Sequence, residues 1–301
     1  MDQLGKVAII GLGLIGSSIA QGMRDVLPSV HLSGYDSDPT VRARATQLGL
    51  AQVAESPSAA VTGADLIILC VPVGAMAIAA ESIAGGLKPT AIVSDVGSSK
   101  ASVAADLERI LPDARIVPAH PVAGTEDSGP DAGFAALFHG RWCILTPGAN
   151  ADGEAVLTMR RFWEALGARV EVMEPKHHDL VLAVTSHIPH LIAFTIVGTA
   201  SDLEQVTQTE VIKYSAGGFR DFTRIAASSP VMWRDIFLAN REAVLDTLQR
   251  FSEDLSLLQR AIRLGDGEVL FDLFSRTSAI RRGIVQQGQD TSKPDFGRSN
   301  I

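Results

Sequence analysis

Six consecutive residues constrain this chain more than any other stretch. Gly11-Leu12-Gly13-Leu14-Ile15-Gly16 follows directly on the apolar run 7–10 and opens a segment of helical periodicity that passes through Ile19 and Met23. A strand turning so abruptly into a helix needs each glycine for a different reason. Gly11 permits the tight turn, Gly13 removes a side chain where a pyrophosphate must approach the backbone, and Gly16 lets the helix pack on the strand. The N-terminus of that helix, with Leu12, Leu14 and Ile15 beside the glycines, then presents unpaired N–H groups to the anion. Asp36 closes the next strand, where its carboxylate can accept from an adenosine ribose and would repel a 2′-phosphate, so NAD is expected rather than NADP. The competing role for Asp36, capping the helix that begins near Pro39, falls better to Asp38. Val71 and Pro72 end another apolar run at the same edge; they either line the adenine or ribose wall or form a plain strand-end turn.

Up to about residue 172, β-branched runs alternate with helical segments, the pattern of βαβ units and a parallel sheet. Strands are expected at 6–10, 30–35, 66–71, 91–94, 115–118, 142–146 and 169–172. After Glu174-Pro175 the pattern turns helical throughout, over 177–201, 204–216, 230–264 and 266–287. The expected fold is therefore α/β. It has an N-terminal Rossmann-type, doubly wound parallel sheet (1–174), a C-terminal all-helical domain (175–288) and an extended or disordered tail (289–301). The segment 180–200 is apolar nearly all round, more than a lone monomer can cover, and implies a homodimer formed through the helical domain.

The formal net charge of -8, with no clustered Lys and Arg, argues against nucleic acid as a partner. The runs at 7–10 and 66–71 are too short to cross a bilayer, and the chain begins without the pattern of a secretory signal, so no membrane partner and a cytoplasmic location are expected. Cys70 and Cys143 lie far apart in apolar contexts and read as buried free thiols.

Two segments at strand ends are unlike ordinary loops: Ser94-Asp95-Val96-Gly97-Ser98-Ser99-Lys100, and 118–126 around His120, which sits in a loop of small residues. They occur in order with Thr185-Ser186-His187-Ile188-Pro189-His190 and Gly217-Gly218-Phe219-Arg220-Asp221-Phe222-Thr223-Arg224. In this order, over nearly the whole chain, the sequence resembles the prephenate/arogenate (cyclohexadienyl) dehydrogenases. The resemblance implies oxidative decarboxylation of prephenate, arogenate or both with NAD, giving 4-hydroxyphenylpyruvate or tyrosine.

It also implies residue roles. His120 would draw the proton from the C4 hydroxyl as hydride leaves that carbon, and must be neutral to do so. Ser98, or Ser99 given a loop one residue longer, would bind the same hydroxyl and orient His120; capping of the helix near Lys100 is the alternative for either. Arg224 would clamp a substrate carboxylate with Arg220 as a second cation, against the plainer reading of a surface arginine. His187 and His190 would line the side-chain pocket, Thr125 and Glu126 would help close it, and Trp233 would reach a neighbouring subunit's active site unless it merely packs the core. No metal is expected: the histidines near 177–190 lack a cysteine partner and Pro189 distorts their spacing, while His178 should pair with Asp179 at a helix start. Tyrosine, so like the substrate, is expected to act as a competitive inhibitor. The rival readings are a β-hydroxyacid-type dehydrogenase relying on Lys176, and an NAD-sensing protein without turnover.

Overall fold

The computed structural model describes residues 4–125, 127–207 and 217–286, and the chain divides into two compact units, Met1–Leu245 and Asp246–Ile301. The first is built on a six-stranded parallel sheet: β1 (Lys6–Ile10), β2 (His31–Tyr35), β3 (Gln52–Val53), β4 (Leu66–Leu69), β5 (Ile92–Asp95) and β6 (Arg115–Ile116). Their spatial order, β3-β2-β1-β4-β5-β6, reverses direction between β1 and β4, which opens a crevice beyond the carboxyl ends of those two strands.

Successive side chains of a strand point to opposite faces, so a sheet covered on both faces must be apolar at every position. Val7, Ile9, Leu66 and Ile68 enter one core with Ile19 and Met23 of α1 (Leu14–Val26) and with Phe162 and Trp163 of a later helix. Ala8, Ile10, Ile67 and Leu69 enter the other, with Met76 and Ile83 of the helix Met76–Ile83 and Val103 and Leu107 of the helix Ala101–Ile110.

One expectation needs correction. Residues 119–121 are not loop: after β6 the chain crosses into a second sheet, where β7 (Ala119–Pro121) pairs antiparallel with β8 (Trp142–Leu145), itself parallel to β9 (Arg169–Val172). Two prolines flanking His120 read as punctuation in the sequence, but β7 is an edge strand, and an edge tolerates a residue that cannot donate to the ladder.

From Pro175 onward every described element is helical. Glu174 accepts from the His177 N–H and Pro175 takes the first helical position, so the helix Pro175–Leu182 has a firm start. A π-helical turn, Ala183–His187, joins it to Ile188–Thr207. Gly217–Thr223, Pro230–Ala239, Arg241–Leu264 and Gly267–Gln286 follow, with the expected single helix over 230–264 broken at Asn240. Residues 208–216 and the expected tail fall outside the described residues. The helical run Pro175–Leu203 is long and apolar enough to cross a membrane by composition, which the short runs considered above had not revealed. Its His178, Asp179 and His187 are nevertheless buried and hydrogen-bonded within the first unit.

Candidate active site

The glycine turn separates what the protein's own packing requires from what a ligand would require. Gly11 has φ +100°, and a Cβ there would lie 2.4 Å from the Cys70 carbonyl oxygen; at Gly16 it would lie 2.0 Å from the Gly11 oxygen. At Gly13 it would meet nothing within 4 Å. Gly13 caps α1 with no side chain bonded to the first-turn N–H groups, and Leu14 and Ile15 are partly exposed beside it, so the turn fits a pyrophosphate. Asp36 accepts from the Leu12 N–H at 2.8 Å and the Asp38 N–H at 2.9 Å, which holds its carboxylate at the lip of this turn, while Asp38 caps the next helix through Thr40. Val71 stands against Gly11, and Pro72 is exposed beyond it.

Beyond the end of β5 the chain builds a buried strut. Lys100 and Asp95 are wholly buried and paired at 2.5 Å; Lys100 Nζ also donates to the Ala119 carbonyl at 2.7 Å, and Gly97 N–H donates to Asp95. The strut ties the first sheet to β7 and so fixes the strand that carries His120. Removing one partner of such a pair strands the other charge, a cost of about 3–5 kcal/mol. Both residues lie within the motif 94–100, but no periodic signal in a sequence reports a contact across a glycine turn.

His120 is itself buried, its Nδ1 2.8 Å from His178 Nε2, and His178 Nδ1 is 2.9 Å from Asp179 Oδ1. Burial, reinforced by His178, Lys100 and His187, holds His120 well below the ordinary imidazole range, so it is neutral at neutral pH. Ser98 is half-buried; Ser99 is buried with no hydrogen-bond partner for its hydroxyl. Neither caps the following helix, because the N–H groups of Lys100 and Ala101 donate to the Asp179 carboxylate at 2.7 and 2.9 Å.

A second cluster surrounds Trp233. His190 stacks on it with ring centres 3.7 Å apart, His187 meets it edge-on at 6.0 Å, and Arg224 is close enough to lower the His190 pKa, adding to the effect of burial. Asn240 Nδ2 donates to His187 Nδ1 at 3.1 Å and to the Asp179 carbonyl at 2.8 Å, linking the two clusters. That bond leaves the proton of neutral His187 on Nε2, a buried donor with no acceptor among the described residues. The Trp233 N–H is likewise buried and unmatched. Asn240 carried no sequence signal, since its role exists only once the helix has ended there.

Arg220 and Thr125 are not drawn into these clusters. Both are exposed, Thr125 accepting from the local Asp127 N–H, and Glu126 lies outside the described residues. Lys176 is exposed and lines a shallow hollow of about 610 Å³ with Glu108, Pro147 and Met173, which contains none of the side chains above.

A doubly wound dinucleotide fold that holds a buried, neutral histidine on an edge strand, linked to a helical cluster of buried N–H donors with one arginine nearby, defines a two-part dinucleotide-dependent oxidoreductase. Comparison with known proteins narrows the class. Residues 19–172 match the model for the nucleotide-binding domain of prephenate dehydrogenase and 174–276 that for its dimerization domain. The cyclohexadienyl dehydrogenase of Zymomonas mobilis is 47% identical, covering 92% of this chain and 95% of the relative. The crystal structure of prephenate dehydrogenase from A. aeolicus in complex with hydroxyphenyl propionate and NAD+ superposes with a TM-score of 0.87 at 36% identity, over 93% of this chain and 98% of that one. Synechocystis arogenate dehydrogenase gives 0.78 at 27% identity, over 92% and 99%. The chain belongs to the prephenate dehydrogenase family.

Proposed function

We propose that this chain catalyses the NAD-dependent oxidative decarboxylation of prephenate, arogenate or both, the step that forms the aromatic ring of tyrosine or of its keto precursor. The observation that carries the reading is His120: a buried imidazole, neutral at physiological pH, placed where the sheet edge meets the helical cluster. Its free nitrogen takes the proton of the substrate C4 hydroxyl. The nicotinamide, when bound, supplies the acceptor for the hydride from C4. Electrons of the departing C1 carboxylate then flow into the ring, and aromatisation makes the step effectively irreversible.

Ser98, half-buried in the turn after Gly97, contacts the same hydroxyl. Arg224 holds one substrate carboxylate through a planar, permanently charged fork. The unmatched N–H donors of His187 and Trp233 face the polar groups of the side chain. Asp36, beside the turn, accepts from a ribose and disfavours a 2′-phosphate, which supports NAD over NADP. Tyrosine, sharing the side chain of one substrate, competes for this pocket.

The exposed apolar residues Val184, Ile196 and Val197 of the helical run support a homodimer, as does the match to a dimerization domain; the mass in solution checks it. A β-hydroxyacid reading loses support because Lys176 is exposed and lines a hollow that includes neither His120 nor Trp233.

The deciding experiment follows reduced-nicotinamide absorbance with NAD and, separately, prephenate and arogenate. Turnover of either is expected, and their ratio sets the preference. Bound NAD with no turnover of either substrate would overturn the proposal.

A further inference from the structure

When two neutral imidazoles share a hydrogen bond, what stands behind them decides which nitrogen carries the proton. His178 is fully buried, its Nε2 on His120 Nδ1 at 2.8 Å and its Nδ1 on Asp179 Oδ1 at 2.9 Å. A carboxylate only accepts, and this one is held by the N–H groups of Lys100 and Ala101, so the His178 proton sits on Nδ1. Neutral His178 then offers a bare Nε2, which must accept from His120 Nδ1–H. The lone pair of His120 is thereby confined to Nε2.

We propose that His178, backed by Asp179, is a positioning residue that fixes His120 in the Nδ1–H tautomer and so creates the base at its Nε2. This rests on the reading of His120 as the base. It assigns the orientation of the ring to a histidine on the helical run, whereas the family resemblance gives that task to the serine turn. As the substrate hydroxyl O–H breaks, its proton forms a bond to His120 Nε2. The Nδ1 proton stays in place, and the new positive charge is stabilised through both hydrogen bonds toward Asp179. Burial lowers the pKa of His178 and keeps it uncharged, with Asp179 opposing but not reversing the shift. The same logic, a wrong tautomer crippling a well-placed imidazole, governs hydrolytic triads.

Two variants separate positioning from mere packing. In His178→Asn the amide nitrogen stands near the former Nδ1 and keeps the bond to Asp179, but nothing reaches His120. In His178→Gln the terminal amide extends to the former Nε2, and its oxygen can accept from His120. The expected result is a kcat about 10²-fold lower for His178→Asn, with KM and NAD affinity nearly unchanged, and substantial recovery in His178→Gln.

The independent readout is ring-nitrogen NMR of protein labelled with 15N-histidine, with His120 assigned by its loss in His120→Asn. Wild type is expected to show His120 protonated at Nδ1, and His178→Asn to show a mixture or the Nε2–H form. Wild-type His120 protonated at Nε2, or full kcat in folded His178→Asn, overturns the inference. Should His178→Asn fail to fold, the wild-type tautomer alone decides. An inactive His120→Asn beside a fully active His178→Asn would reject the relay and leave the proposed function standing; an active His120→Asn would reject His120 as the base, and the relay with it, while wild-type turnover still decides the function.

Discussion

His120, the proposed base, shows how position alone keeps an ordinary imidazole neutral. Its pKa is lowered chiefly by burial, then by His178, Lys100 and His187. A base works when deprotonated, so a lowered pKa moves the acid limb of the kcat/KM profile to lower pH. That limb should lie clearly below 6.5, the ordinary histidine value; a midpoint at or above it would contradict the buried setting. His120→Asn should lower kcat by about a hundredfold or more while NAD titration stays nearly unchanged. Arg224→Ala should act differently, weakening substrate binding by about 2–5 kcal/mol, visible chiefly in KM. An unaltered KM would return Arg224 to the plainer reading of a surface arginine.

Among the elements, the turn from β1 into α1 makes the sharpest test, because its glycines answer to different masters. Gly16→Ala would drive a methyl to 2.0 Å from a backbone oxygen and should destabilise the fold itself. Gly13→Ala meets no protein atom within 4 Å, and Gly13 has a φ of -74° that alanine accepts. It should therefore unfold like wild type but bind NAD more weakly. Calorimetric titration and thermal unfolding of both variants would check this, and equal NAD affinity in Gly13→Ala would refute the assigned pyrophosphate position. The turn was legible in the sequence because it is local: strand, three glycines and helix lie within one short window. β7 was not, since three residues, one of them a proline and preceded by another, acquire strand geometry only when β8 arrives to pair with them.

At the scale of the whole molecule, stability should depend on pH through its buried histidines. Burial takes His187 down to about 4 from 6.5, and His120, His178 and His190 shift in the same direction. Between these values the unfolded chain binds the proton that the fold refuses, so stability rises with pH and is lost as pH falls from 6.5 toward 4. His187 alone accounts for about 3 kcal/mol of that loss. The surface carboxylates Asp38, Asp131 and Asp152 have lowered pKa values, and their stabilisation is lost only further into acid, below their usual 3.8. Urea midpoints at constant ionic strength should therefore be lower at pH 5 than at pH 7.5; the opposite order would mean these imidazoles are not buried neutral. The exposed Leu257, Ile262, Phe271 and Phe274 of the second unit show how much apolar surface the chain leaves uncovered.

By itself the sequence determined what depends on neighbours along the chain. Alternating apolar patterns set the strands and helices, the glycine turn with Asp36 beside it marked the proposed dinucleotide site, and the ordered motifs set the family. The tertiary structure alone decided which distant residues meet: Lys100 and Asp95 bracing β7, Asp179 reaching back to cap the helix after Ser99, His178 standing behind His120, and Asn240 joining His187 to that chain. None of these contacts has a period or spacing to betray it, because each arises from two elements folding against each other, and burial and charge acquire their values only there.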